Sequence, residues 1–269
     1  MDKPILFPDY REFDHRPRPV TVMAKDFPAG ASTGVHHHPS GQLIYAVHGV
    51  MVVHTDMGRW VVPPTRGLWM PPAVRHELRM VGQVRMRTAY VHPEATHDLP
   101  GHCAVIAVSP LLRELILAAV GIEGPYQEDS RDGRVMRLLL DELRQLPTLP
   151  LRLPRPADRR LRTVCEAIVA APDDKTTARG WGARLGVDAK TVHRLFLRET
   201  GMTFGQWRQQ ARLLAALERI AEGAKIVDVA LELGYASPSA FSTMFKRQFG
   251  VTPSAFFGQA EPSVVQRHA

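Results

Sequence analysis

Histidine supplies the first chemistry on offer. His36 and His38 flank His37 in an unbroken run. In an extended strand alternate side chains share a face, so the outer two can point inward while His37 points out. Neutral imidazoles placed that way suit Zn, Fe, Ni or Cu, and equally suit hydrogen bonding inside a pocket for an organic molecule. His48 and His54, further along, read as strand residues on a wet face. A second set, far down the chain, suits nucleic acid. Lys190, His193 and Arg194 are long donors able to reach base edges, as lysine and arginine do at guanine O6 and N7. Ser239, Ser242 and Thr243 accommodate several bases or a thymine methyl, and Arg198, Arg208, Lys246 and Arg247 are better placed for phosphate.

These groups need elements to hold them. Ile226, Val229, Ala230 and Leu233 recur at helical spacing, and Gly234 ends that helix. Ser237-Pro238 starts another, with a hydroxyl to cap free N–H groups and a proline whose missing N–H costs nothing. Phe241 and Phe245 share one side of it, leaving the serines, Thr243, Lys246 and Arg247 mostly elsewhere. About fifty residues earlier the pattern recurs. Trp181 and Leu185 precede Gly186-Val187, Asp188 caps a second helix, and Val192, Leu195 and Phe196 face inward. Both copies close on a Phe…Gly-x-Thr run, Phe196 to Thr203 and Phe245 to Thr252. One supersecondary unit used twice, with basic outer positions, predicts paired helix-turn-helix readers of duplex DNA. The second unit lacks a long base-reading side chain and is expected to position more than it discriminates.

The whole chain is consistent with this. Its 269 residues suit two domains, and the formal charge of +7 with a pI near 9.8 favours a polyanionic partner. Residues 157–257 hold 15 basic and 10 acidic side chains, so most of the excess lies there. Cys103 and Cys165 fall in different regions, which argues against a disulfide framework and for a reducing cytoplasm. No apolar run approaches the length of a membrane span, and the N-terminus has no hydrophobic signal core, so neither membrane nor export is expected. From Thr21 to about Val108 short β-type runs alternate with turns, which predicts a sandwich or small barrel. Separate strands are expected at 42–47, 50–54, 60–62, 67–70, 76–80, 84–90 and 103–108. Helices are expected at Pro110–Val120 and Arg131–Leu146. Pro147, Pro150, Pro154 and Pro156 then make an extended interdomain connector. Helices at Asp158–Ala170 and Trp207–Ile220 complete the reading, the latter joining the two helix-turn-helix units.

Two resemblances follow. Thr203-Phe204 leading into a long helix, then ALELGYASPSAFSTMFKRQFGVTPSAFF, resembles the AraC/XylS family of bacterial transcription regulators over about the last hundred residues. Upstream, Gly30, His36, His38, Gln42 and Gly49 follow the spacing of the first cupin motif, G-x5-H-x-H-x3-E-x6-G. PPAVRH, Pro71 to His76, resembles the second, with Ala73 where glycine is usual. The cupin resemblance implies that His76 completes a three-imidazole cluster and that Gln42 takes the remaining ligand position. The departure matters: an amide is a weak neutral donor where a carboxylate would bind a divalent ion strongly. Metal occupancy and a metal-free effector pocket both stay open, and no cofactor is certain. Tyr45, Trp60 and Trp69 either line an effector pocket or form ordinary core.

The expected architecture is α+β in two domains, an N-terminal cupin-like β-barrel followed by an all-α domain with two helix-turn-helix units. Residues 1–108 form the sensing barrel, 109–156 a helical dimerisation segment and linker, 157–257 the DNA-binding domain and 258–269 a tail. The function expected is a one-component, effector- or metal-responsive, sequence-specific transcription regulator. It would form a homodimer through the leucine-rich faces of residues 110–146, and would engage RNA polymerase if it activates. The rival reading is a cupin metalloenzyme, a dioxygenase or isomerase, with an accessory DNA-binding domain; Gln42 disfavours it.

Overall fold

Two long antiparallel strands carry the N-terminal half. A computed structural model describes residues 18–122, 125–145, 148–149 and 152–258; the residues before 18, most of the tail, Pro147 and Pro150 lie outside these. Strand β2 (Gly41–Thr55) pairs with β5 (His76–Val91) along its length, from Gly41↔Val91 to Thr55↔His76. The sequence suggested two strands in place of each. The register instead shifts at Ala46/His48 and His48/Val50, so the chain bulges without breaking. Gly49 makes the bulge possible: its φ is +82°, and a Cβ there would collide with the carbonyl of Gln83.

Strand β1 (Val20–Phe27) pairs with β5 on its other edge. Strands β3 (Gly58–Val62) and β4 (Arg66–Met70) both pair with β2, and β6 (Ala104–Ala107) continues from β4. The proline-rich stretch is not a free connector. It supplies β7 (Thr148–Leu149), paired with β6, and β8 (Arg152–Pro154), paired with β3, completing an eight-stranded cupin-like antiparallel sheet. Proline is tolerated there because β8 is a short edge strand with few ladder bonds to lose.

One face of the sheet is covered by helices α1 (Pro110–Val120) and α2 (Arg131–Gln145), whose Leu112, Ile116, Leu139 and Leu143 pack on Leu43, Tyr45, Trp69, Ala89 and Ile106. The interior face carries Ile44, Met70, Met80, Met86 and Tyr90, and this apolar cluster runs unbroken into the helical domain.

That domain contains α3 (Arg159–Ala170), α4 (Ala178–Leu185), α5 (Ala189–Thr200), α6 (Phe204–Ala221), α7 (Ile226–Glu232), α8 (Pro238–Phe249) and α9 (Pro253–Gly258). Caps set the boundaries. Asp188 accepts from Thr191 N to start α5, and Ser237 accepts from Ala240 N to start α8. Thr203 and Gln206 form a reciprocal capping box, which starts α6 three residues earlier than its apolar spacing suggested. No helix among the described residues is long and apolar enough to cross a membrane.

Candidate functional site: nucleic-acid interface and histidine pocket

Each helix-turn-helix unit buries one side of its second helix and leaves the other in solvent. In α5, Val192, Leu195 and Phe196 are buried while Lys190, His193, Arg194 and Arg198 are exposed. In α8, Phe241, Phe245 and Phe249 are buried; Ser239, Thr243, Lys246 and Arg247 are exposed and Ser242 is half-buried. Phe196 meets Phe204 and Trp207 of α6 edge-on, at 5.3 and 5.9 Å between ring centroids, so the first reader is keyed directly to the joining helix. Phe245 meets Phe256 of α9 at 5.3 Å, which fixes the second from its far end.

Two of the expected phosphate contacts have work inside the protein. Arg208 is half-buried, its guanidinium 5.2 Å from the Phe204 ring centroid and its Nη1 donating to the carbonyl of Thr176 at 3.4 Å. Its placement is a correction: the i+4 step from Phe204 puts it against α4's entry loop, where it braces the first unit. Arg198 pairs with Glu199 at 2.9 Å, and Glu199 accepts from the backbone N–H groups of Ala157 and Asp158.

In the sheet, His36, His38 and His76 converge, with one ring nitrogen from each within 4.8 Å of the others. His37 is exposed, as expected, but the segment is a loop with a single bridge at His36 and not the strand whose alternation suggested it. A two-way bridge between the backbones of His36 and His76 (2.9 and 2.8 Å) zips the histidine loop onto β5. His36 Nδ1 faces the carbonyl of Gly34 at 2.9 Å, and His76 Nδ1 that of Val74 at 2.8 Å. Carbonyls only accept, so both Nδ1 atoms carry the proton and both Nε2 atoms keep their lone pairs. Burial, reinforced by the neighbouring histidines, holds His76 neutral with a pKa of about 3; burial also lowers that of His36.

Gln42 lies beside the cluster. Its Nε2 donates to Thr88 Oγ1 at 3.0 Å and to Tyr90 OH at 3.4 Å, and the Tyr90 ring lies 5.1 Å from that of His38. Thr88 spends its own proton on the carbonyl of Leu43, so it must accept from the amide, and this fixes the amide's orientation. Gln42 Oε1 and His76 Nε2 are buried with no hydrogen-bond partner among the described residues. Ala73, where the motif usually has glycine, keeps glycine's left-handed backbone (φ 64°) and donates its N–H to the carbonyl of His38 at 2.8 Å. Backbone strain of this kind concentrates at binding sites.

The aromatic expectation needs correction. Tyr45 and Trp69 do not face the histidines. They lie on the opposite face under α1 and α2, and Trp69 Nε1 donates to the carbonyl of Pro100 at 2.7 Å. Trp60 is buried on the interior side, 1% exposed, and packs in the main core.

Sequence reasoning missed a charged group in the junction. Glu218 of α6 is 7% exposed, accepts from Arg59 of β3, and accepts from Arg79 of β5 at 2.7 Å. The signal was present: Trp207, Ala211, Leu214 and Glu218 follow one another at three- and four-residue steps, so a carboxylate stands in an apolar stripe.

Such an arrangement, paired helical readers joined to a sheet with an internal pocket, defines a ligand-responsive DNA-binding protein. Comparison with known proteins specifies which. Residues 25–164 match the AraC-like ligand binding domain, and residues 181–259 match a helix-turn-helix domain family. The HTH-type transcriptional regulator NimR of Escherichia coli is 33% identical over 225 residues, covering 84% of this chain and 82% of NimR. The arabinose operon regulatory protein of Escherichia coli is 26% identical over 94% of this chain and 76% of its own length. The regulatory protein SoxS of Escherichia coli is 42% identical over 66 residues, 24% of this chain and 62% of SoxS. The chain belongs to the AraC family of transcription regulators. It is a DNA-binding regulator that responds to a ligand, and these relatives speak against the metalloenzyme reading.

Proposed function

We propose that α5 and α8 enter two adjacent major-groove segments on one face of the duplex, with α6 as the spacer. An 18-residue helix is roughly 27 Å long, comparable with the roughly 34 Å of one DNA turn. The observation that carries this is the matched two-sidedness of α5 and α8: phenylalanines keyed inward, polar and basic groups outward. Lys190, His193 and Arg194 would read bases, with Ser239, Ser242 and Thr243 as the shorter set. Arg198, Lys246 and Arg247 would hold phosphates. Footprinting tests it. Lys190→Ala with Arg194→Ala should weaken promoter protection by at least about 2 kcal/mol, two base contacts at 1–3 kcal/mol each. Unchanged protection would sink the assignment.

For the sensing site we propose that His36, His38 and His76 hold a divalent transition ion, with Gln42 Oε1 as a fourth, weaker ligand. Imidazoles whose other nitrogen is tied to a backbone carbonyl are arranged as metal ligands usually are. When bound, the ion would offer a Lewis-acid position to an effector; the residues themselves shape and dry the pocket. The chain acts in the cytoplasm as a homodimer through α1 and α2, where Leu111 and Leu138 are 49% and 43% exposed. Sedimentation finding only monomer, with and without DNA, would remove the dimer. Contact with RNA polymerase would follow if the protein activates.

A further inference from the structure

We propose that Leu197 reads a thymine methyl and is a specificity-determining residue of the first helix-turn-helix unit. The inference rests on the reading of α5 as a helix that enters the major groove, and extends it by an apolar contact. Leu197 is 58% exposed, whereas its neighbours Leu195 and Phe196 are 3% and 0% exposed. Among the described residues it is the one exposed large apolar side chain on either reading helix. Neither apolar cluster includes it, so packing within the chain gives no reason for a leucine there.

Its position on the helix does. With about 3.6 residues per turn, a step of seven brings Leu197 nearly into line with Lys190. His193 and Arg194 lie on either side of that line, one turn earlier. Lys190, His193, Arg194 and Leu197 therefore stand at i, i+3, i+4 and i+7, the spacing at which a helix laid along the major groove presents side chains to base edges. Val192, Leu195 and Phe196 occupy the opposite, buried side. The second unit keeps the same frame, with Ser239, Ser242, Thr243 and Lys246 at the same steps of α8, all polar.

At the fourth place of this stripe the first unit carries a branched hydrocarbon with neither donor nor charge. It can bond no phosphate and no polar atom of a base. What the major groove offers such a side chain is the C5-methyl of thymine, and contact withdraws both apolar groups from water. The helix also sets the place. Seven residues rise roughly 10 Å, which is about three base-pair steps of 3.4 Å. The thymine should therefore lie about three pairs from the base read by Lys190.

Binding of the full chain to a duplex selected from a random library tests this. Each thymine of the selected site is replaced singly by deoxyuridine, which removes only the methyl. Lys190→Ala with Arg194→Ala locates the α5 segment as the base pairs whose preference it loses. One deoxyuridine in that segment should weaken the parent protein about fourfold, the worth of one methyl withdrawn from water. Leu197→Ala should bind the thymine duplex more weakly, treat thymine and deoxyuridine alike at that position, and keep the parent's salt dependence, because no phosphate contact is removed. Leu197→Met, still apolar, should keep the discrimination. Circular dichroism checks that both variants fold. A segment without a methyl-sensitive thymine, a folded Leu197→Ala with the parent's full deoxyuridine penalty, or a flattened salt dependence would each overturn the proposal while leaving α5 in its groove. A Lys190→Ala, Arg194→Ala protein that binds as the parent does would instead remove the groove reading, and this inference with it.

Discussion

Replacing Glu218 by glutamine should cost the protein less than removing either of its arginine partners. The carboxyl's pKa is raised, first by burial, against the opposing pull of Arg59 and Arg79. Desolvation therefore outweighs the attraction, and a neutral isostere removes both together. The arginines keep access to water, with side chains 22% and 41% exposed, so neither is stranded by the change. Glu218→Gln is expected to stay within about 1 kcal/mol of the parent at pH 7.5. Arg59→Met leaves a buried carboxylate with one half-exposed partner. Breaking a buried pair outright costs about 3–5 kcal/mol, and the surviving Arg79 reduces that to about 1–3. The sign with pH follows. A carboxyl whose folded pKa lies above its unfolded value of 4.5 contributes stability below 4.5 and loses it as pH rises through the folded value. The deficit of Arg59→Met should therefore shrink between pH 7.5 and 5, while Glu218→Gln should gain on the parent over the same rise in pH. Urea denaturation of all three proteins at both pH values, with unchanged m-values, reads this directly. A Glu218→Gln loss larger than that of Arg59→Met at pH 7.5 would refute the reasoning.

Two further outcomes rest on the sheet. His76, with a pKa near 3, remains neutral when folded but takes a proton in the unfolded chain below 6.5. Stability should thus fall as pH drops from 6.5 toward 3, by about 1.4 kcal/mol per unit, and His76→Gln should flatten that slope; bound Zn²⁺ should raise the melting temperature at pH 7.5. Trp69→Ala should cost about 3–5 kcal/mol as a large-to-small core change, yet leave the zinc effect intact, because its ring faces α1 and α2; loss of the zinc response in a still-folded variant would place Trp69 at the pocket after all.

Local chemistry was enough to make much of this molecule legible. Apolar residues at three- and four-residue steps, a glycine at each helix exit and an Asp or Ser at each entry define α5 and α8, because helix periodicity and capping are settled within a few residues. The histidine cluster was legible because strand alternation was expected to separate His37 from His36 and His38; the segment folds as a loop held by one bridge at His36, yet still leaves His37 exposed. That alternation also held information left unused: Gln42 and Tyr45 are three residues apart on one strand, so they face opposite ways. What alternation cannot supply is which face is covered by what. Only the folded sheet, with α1 and α2 laid on its outer side, turned Tyr45 and Trp69 into core. The proline-rich stretch likewise read as a connector because its partners, β3 and β6, lie far away in sequence. Glu218 shows the limit most clearly. Its stripe on α6 marked it as buried, but the arginines that make burial tolerable come from residues 59 and 79, and long-range pairing of that kind has no local signature.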